Sequence, residues 1–439
     1  MQALFKTLAL ICCYNSCMPE SIYTNEWKNA ANIYEVNVRQ YTEEGTFDAF
    51  AKHLPRLKQM GVKIIWLMPI TPISKEKRQG TLGSYYACSD YVSINPEFGD
   101  LNDFKNFVRQ VHELDMKLII DWVANHTGYD HHWAKEHPDW YEREGAGNFV
   151  ERHGWVDVID LNYQNKDMRA AMIASMQYWV TECDVDGFRC DMAHLVPLDF
   201  WVDAKQQCET IKPLFWLAEC EVPEYHKVFD VTYAWKWMHA TEKLVKEYAS
   251  LQDVKNVLKE YQDYPPNALK LFFTSNHDEN SWNGSEYEKY GDAAKALSIF
   301  TFTWPGMPLI YSGQELPNLK RLKFFEKDCI DWNKKQPELE NFYKQLLLLK
   351  STHPALHQTG NMNVLPSELN DSIFAFLRYT NNNKVLVILN LSNKDRLQFK
   401  LAHPLIEDKF THLFSGITYA LGAVQSFELQ AWEYIVLTN

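Results

Sequence analysis

From residue 32 onward, short apolar or β-branched runs alternate with longer stretches in which apolar residues return at helical spacing. Ile33 to Val38 reads as a strand, Phe47 to Met60 as a helix closed by Gly61, and Val62 to Met68 (VKIIWLM) as a strand buried on both faces. Leu101 to Met116 predicts a helix and Lys117 to Val123 (KLIIDWV) a strand. After His126 the period lapses, and residues 127 to about 160 are rich in Trp, His, Asp, Glu and Gly. Such an excursion inside a regular alternation is more often a functional insertion than a linker. The rhythm resumes with helix Asp167 to Glu182, strand Val185 to Cys190, helix Leu198 to Ile211, strand Leu214 to Ala218 and a strand near Phe229 to Tyr233. A long helical region from Trp235 to about Tyr261 precedes strand Leu269 to Thr274, helix Asp292 to Thr303, strand Pro308 to Tyr311 and helix Glu338 to Ser351.

Eight strands interleaved with helices predict an α/β chain with a parallel sheet, and eight units suit a closed (β/α)8 TIM barrel better than an open one. The rival, a doubly wound sheet, needs a dinucleotide cradle in its first turn. Gln40 to Thr46 has no G-x-G-x-x-G. From about residue 360 the period changes to two: Ser372 to Arg378 and Lys384 to Leu391 flank the turn-forming Asn381-Asn382-Asn383 and read as a hairpin. The expected organisation is a barrel over 21 to 126 and 161 to 355, an inserted segment over 127 to 160, and a C-terminal antiparallel β-sandwich over 356 to 439.

Composition narrows the function. The chain has 439 residues, 46% of them hydrophobic, enough for a large core. Its net charge of -13, with no long Lys/Arg block, argues against nucleic acid or an anionic membrane surface as partner. Residues 1 to 20 open with a lone Lys6 and an apolar run from Leu4 to Cys13, too short to span a bilayer but of signal-peptide length. They read as a leader of a secreted, periplasmic or, through Cys12, Cys13 or Cys17, lipid-anchored protein; the alternative is a disordered or expression-derived leader on a cytoplasmic one. The six later cysteines match neither a zinc pattern nor a disulfide framework, so no essential disulfide is expected.

Polar residues unusual for strands collect where the apolar runs end: Asp121, Asn125 and His126; Arg189 and Asp191; Glu219; His277 and Asp278. In a parallel barrel these ends share one rim, where such folds build active sites. Residues i and i+2 of a strand point the same way, so Arg189 and Asp191 share a face, and the guanidinium would keep the carboxylate ionised. A structural ion pair would look the same. Glu219 follows Phe215-Trp-Leu-Ala218, an apolar run that would desolvate its carboxyl and favour the protonated form. One ionised and one protonated carboxyl group are what glycosidic cleavage requires.

The ordered blocks DWVANH (Asp121 to His126), GFRCDMAH (Gly187 to His194), AE (Ala218, Glu219) and SNHD (Ser275 to Asp278) resemble the sequence regions of the α-amylase family of glycoside hydrolases. The resemblance runs from about residue 30 to the C-terminus and implies a retaining double displacement on α-glucosidic bonds, through a covalent glucosyl-enzyme, in an α-glucan or maltooligosaccharide substrate. It implies Asp191 as nucleophile, Glu219 as acid/base and Asp278 as the carboxylate that stabilises the transition state. Arg189 would fix the nucleophile, and His126, His277, His194 and Tyr86, the last in Gly83-Ser-Tyr-Tyr86, would bind substrate. No cofactor is implied for the chemistry. Asn125 and Asp160 match two ligand positions of the family's structural calcium, although His194-Leu195 stands where many members have Lys-His. Within the family an α-glucosidase, cyclomaltodextrinase or transglycosylase is the rival reading. Outside it the rivals are a catalytically inactive starch-binding protein and an unrelated barrel enzyme, and no phosphate or metal motif supports the latter. Trp133, Trp140 and Trp282 are further candidates for sugar platforms, or for packing.

Overall fold

The computed structural model describes residues 26–266 and 268–439, so the expected leader lies outside the described residues. Ten strands precede residue 312: β1 Ile33–Val36, β2 Ile64–Leu67, β3 Lys117–Trp122, β4 His126–Gly128, β5 Val158–Asp160, β6 Gly187–Cys190, β7 Phe215–Ala218, β8 Val231–Tyr233, β9 Leu269–Phe272 and β10 Met307–Tyr311. Eight of them close a barrel in the order β1-β10-β9-β8-β7-β6-β3-β2, every neighbour parallel. The continuous apolar runs follow from this geometry, since each strand faces packed side chains inside and a helix outside, and β1, β2, β6 and β7 are buried at every position.

Gly187 opens β6 because nothing larger fits. A Cβ there would stand 2.0 Å from the carbonyl oxygen of Phe215 on β7.

Two expected helices are each divided in the structure. The first becomes Phe47–Ala51 and Leu54–Met60, with Pro55 in the opening turn of the second, where its missing N–H costs nothing. Gly61 ends it in the left-handed conformation, its N–H donating to Leu57 and Lys58 carbonyls. The long stretch after β8 becomes Trp235–Val245 and Leu251–Glu260, the latter started by a capping box in which Ser250 and Asp253 satisfy each other's backbone N–H groups.

The segment between β4 and β5 is a small excursion closed by their antiparallel pairing, His126 opposite Asp160. Trp133, Trp140 and Tyr141 are buried within it and continue the barrel core.

Beyond the barrel lie β11 Asn361–Leu365, β12 Ile373–Tyr379, β13 Lys384–Asn390, β14 Leu397–Ala402, β15 Asp408–His412, β16 Thr418–Leu421, β17 Val424–Leu429 and β18 Tyr434–Thr438. They form a six-stranded antiparallel sheet, β11-β12-β13-β18-β15-β16, and a two-stranded one, β14-β17. The period of two divides the larger sheet's faces. Phe374, Phe376, Val385 and Val387 join the barrel core, while Ile373, Ala375, Leu377, Leu386 and Ile388 pack with Phe399, Leu401 and Leu429 of the smaller sheet.

Candidate active site

The strand ends meet as their parallel register requires. Asp121 of β3 lies opposite Arg189 of β6, and β6 in turn lies beside β7, whose end carries Glu219. The Arg189 side chain is wholly buried and acts as a hub. Its Nη1 donates to Asp121 Oδ1 at 2.8 Å and to Asp191 Oδ1 at 2.9 Å, its Nη2 to Glu219 Oε2 at 2.7 Å, and its Nε to the Tyr233 hydroxyl at 3.2 Å. The N–H of Met192 also donates to Glu219 Oε2. The guanidinium fork therefore fixes both carboxyl groups from one side and leaves their other oxygens free of it.

The fourth acid arrives from the loop after β9. Asp278 Oδ2 lies 3.3 Å from Nε2 of His277, which itself faces the Tyr86 hydroxyl at 2.8 Å. That hydroxyl donates to Asp121 Oδ2 at 3.1 Å, and the Tyr86 ring stacks on the imidazole with centroids 5.5 Å apart. On its far side His277 Nδ1 meets Glu35 Oε1 of β1 at 2.5 Å.

These groups open on a cavity of about 390 Å³, within the usual range for a small-molecule site. Asp191, Glu219 and Asp278 line it together with Tyr86, His126 and His277. The three acids expected from distant parts of the sequence thus share one cavity. Arg189 lies beneath it rather than in its wall. His194 is the exception among the expected substrate contacts. It is exposed and absent from the lining, because the turn after Asp191 sends Met192, in the left-handed conformation, toward the cavity and the histidine outward.

Burial dominates the electrostatics. It pushes Asp121 up to about 7 and raises Asp191, the Arg189 charge opposing it in both cases. The expectation that the Arg189 guanidinium lowers Asp191 and keeps it ionised is met in the direction of its effect, but burial outweighs it, since one guanidinium is shared among three carboxyl groups in a dry site. Asp278 is raised by burial too, against the pull of His277. Burial alone would push His277 down, but Asp278 and Glu35 outweigh it and bring it up to about 9. For His126 burial outweighs the pull of Glu151 and lowers it to about 4. Its Nδ1 lies 3.2 Å from the Asn125 amide nitrogen, a donor, so Nε2 is the protonated nitrogen of this neutral ring.

Asp160 has a buried carboxylate oxygen, Oδ1, with no hydrogen-bond partner, the type of donor a hard cation accepts. With Asn125 it supplies less than half of the roughly six to eight oxygens calcium takes. Among the described residues no group of three or more His, Cys, Asp or Glu side chains converges as a metal site.

Several lining residues carried no recognisable sequence signal. Gln79, Trp155, Asp157, Phe324 and Phe325 come from irregular loops, and Gln79 Nε2 donates to Asp157 Oδ1 at 2.9 Å. The tryptophans flagged above divide. Trp133 and Trp140 are core, 7% and 8% exposed, whereas Trp282, 58% exposed, stands at the cavity with Phe324 and Phe325 behind it.

The sequence matches the family model for the alpha amylase catalytic domain over residues 21–157, 137–226 and 214–351. A noncanonic maltogenic alpha-amylase from Thermotoga neapolitana is 30% identical and superposes with a TM-score of 0.87, over 94% of this chain and 99% of that one. An alpha-amylase from Lactobacillus plantarum is 28% identical, with a TM-score of 0.84 over 94% of this chain and 100% of that one. The alpha-amylase MalA of Haloarcula japonica is 26% identical over 389 residues, which are 84% of this chain but 56% of that protein's length.

Proposed function

The chain belongs to the alpha-amylase family, and from that premise we propose that it is a retaining glycoside hydrolase that cleaves α-1,4-glucosidic bonds in starch-derived glucans and maltooligosaccharides. The observation that carries this reading is the single Arg189 fork contacting both Asp191 and Glu219 beneath a cavity that these two acids line together with Asp278. Two carboxyl groups tied to one guanidinium suit the close spacing of retaining enzymes, roughly 5 Å, rather than the roughly 7–9 Å that leaves room for an attacking water.

In the first half-reaction Asp191 attacks the anomeric carbon while Glu219 protonates the departing glycosidic oxygen. A covalent glucosyl-Asp191 ester results. In the second, Glu219 takes a proton from water, which attacks the same carbon and releases the sugar with its configuration retained. Asp278 faces the oxocarbenium-like transition state, and His126 offers an Nε2–H donor to sugar hydroxyls, while His277, its Nε2–H held by the Tyr86 hydroxyl, brings its ring to the cavity wall. Tyr86 supplies an aromatic face beside them.

A second reading within the family, release of short products from a chain end, is favoured by the walls of the cavity. The loop after β2 is laced on one side to the inserted segment through Gln79 and Asp157, and on the other to the loop after β10, where Thr81 bonds Glu326 and Leu82 donates to the Phe325 carbonyl. The product profile on maltoheptaose, starch, cyclodextrin and sucrose decides between them. Ladders of intermediate oligosaccharides from starch support internal cleavage. Glucose or maltose alone from every substrate supports the second reading, and binding without any release of reducing sugar would sink both. Chelation is expected to leave turnover unchanged, because the carboxyl groups perform the chemistry. A fall in Tm on chelation, restored by calcium, would assign Asn125 and Asp160 to a structural ion.

A further inference from the structure

Glu35 takes no part in the scheme above, yet it stands at its base. It is the one acid in the apolar strand β1, it is wholly buried, and its register places it opposite Trp66 of β2 and Tyr311 of β10. An ionisable group is costly there unless paired. Its partner is Nδ1 of His277, 242 residues along the chain.

The polarity of the surrounding hydrogen bonds fixes where the protons lie. Arg189 Nη1 donates to both oxygens of Asp121, and in its ionised form Asp121 is acceptor only, so the Tyr86 hydroxyl then donates to it. That hydroxyl can then only accept from His277, so Nε2 carries a proton. The second proton lies in the 2.5 Å contact between Nδ1 and Glu35 Oε1, where burial raises the Glu35 carboxyl and the His277 charge opposes that rise and favours the carboxylate.

We propose that Glu35 is a positioning residue for catalysis: by holding a proton on Nδ1 of His277 it keeps the imidazole cationic, with Nε2–H fixed on the Tyr86 hydroxyl in the cavity wall and its charge set against Asp278. This rests on the hydrolase reading above. The role is indirect. Glu35 touches no substrate, but the cation it maintains favours the ionised form of Asp278, which must be an acceptor for sugar hydroxyls. The charged and titratable groups facing His277 are Glu35 from β1, Tyr86 from the loop after β2, Asp121 from β3, Arg189 and Asp191 at the end of β6, and its neighbour Asp278. Of these only Arg189 disfavours the cation.

The test is the ratio of kcat/KM between the wild-type chain and Glu35→Gln followed with pH, in which the limb set by the acid Glu219 is common to both and cancels. In the wild type the imidazolium persists to near pH 9. With the neutral amide it should be lost in the ordinary histidine range, so that the variant is within about threefold at pH 5.5 and roughly thirtyfold slower at pH 8. A ratio that does not change with pH would overturn the proposal. A second comparison reads the path: Glu35→Gln added to His277→Gln should cost nothing further, and additive losses would place the action of Glu35 elsewhere. If Glu35→Gln does not fold, ¹⁵N-histidine NMR of the wild type decides, with the His277 resonances identified by their disappearance in His277→Gln. Both ring nitrogens protonated through pH 8 support the pair, and loss of one proton below pH 7 refutes it. A wild-type chain inactive on every glucan would end the hydrolase reading and leave this titration to judge the Glu35–His277 pair alone.

Discussion

At the scale of single residues, Arg189 decides more than any other side chain. Its donor contacts set Asp121, Asp191 and Glu219 in one arrangement, and its charge is the principal offset to the burial of Asp121 and Asp191. Removing it in Arg189→Met should leave three buried carboxyl groups without a cation and destabilise the fold by about 3–5 kcal/mol; a denaturation midpoint equal to that of the wild type would contradict the hub. The acids differ in what their loss should do. Asp191→Asn removes the carboxylate proposed as nucleophile while preserving its shape, so kcat/KM should fall at least about 1,000-fold with little change in Tm. Glu219→Gln removes the proton donor instead. Its loss should be severe on maltooligosaccharides but recover at least about tenfold in the glycosylation burst on a glucoside whose leaving group needs no protonation. Equal losses on both substrates would place the acid elsewhere.

Elements explain what could be read from the chain and what could not. The barrel strands were legible because each is a short, mainly apolar run among helix-length periods, and the C-terminal sheet because its period of two divides one core from the other. The helix breaks had signals that periodicity overrode: Pro55 within the first, and Ser250-x-x-Asp253 within the long one. Asp191, Glu219 and Asp278 stood out as acids ending apolar strands. Glu35 did not, because a lone acid inside β1 gains meaning only once the closed barrel brings the loop after β9 against it. His194 lies outside the cavity lining, since the left-handed Met192 turns the backbone at a place where sequence spacing cannot show it. Two predictions belong here. Gly187→Ala forces a Cβ into the Phe215 carbonyl and should cost about 3 kcal/mol through the β6–β7 pairing that positions both Arg189 and Glu219. Wild-type stability in that variant would show that the two strands can part. Trp282 has aromatic support behind it and an open face, so Trp282→Ala should raise KM about 3–10-fold with kcat within about twofold, the loss expected for one stacked sugar ring. An unchanged KM on long and short substrates alike would return Trp282 to loop packing.

For the whole molecule, the site is a concentration of negative charge inside an already acidic protein of net charge -13. Glu35, Asp121, Asp191, Glu219 and Asp278 crowd around two cations, Arg189 and His277. Function and stability should then oppose each other at this rim. Asp278 is the member through which to test this, since its carboxyl is raised by burial and is not itself bonded to Arg189. A carboxyl raised in the folded state is favoured by folding when neutral and penalised when ionised. Its contribution is therefore fully present below the unfolded value and is lost as pH rises through the higher folded value. An asparagine never ionises. Asp278→Asn should accordingly be inactive, melt with the wild type near pH 4, and gain on it as pH rises, reaching roughly 1–3 °C in Tm by pH 8. The gain is small because the side chain is 39% exposed and water screens its charge. Added salt should narrow the difference further by screening the same repulsion. A variant less stable than the wild type at pH 8, or a gap that does not change with pH, would mean that His277 and Arg189 neutralise the rim in full and that activity is obtained here at no cost in stability.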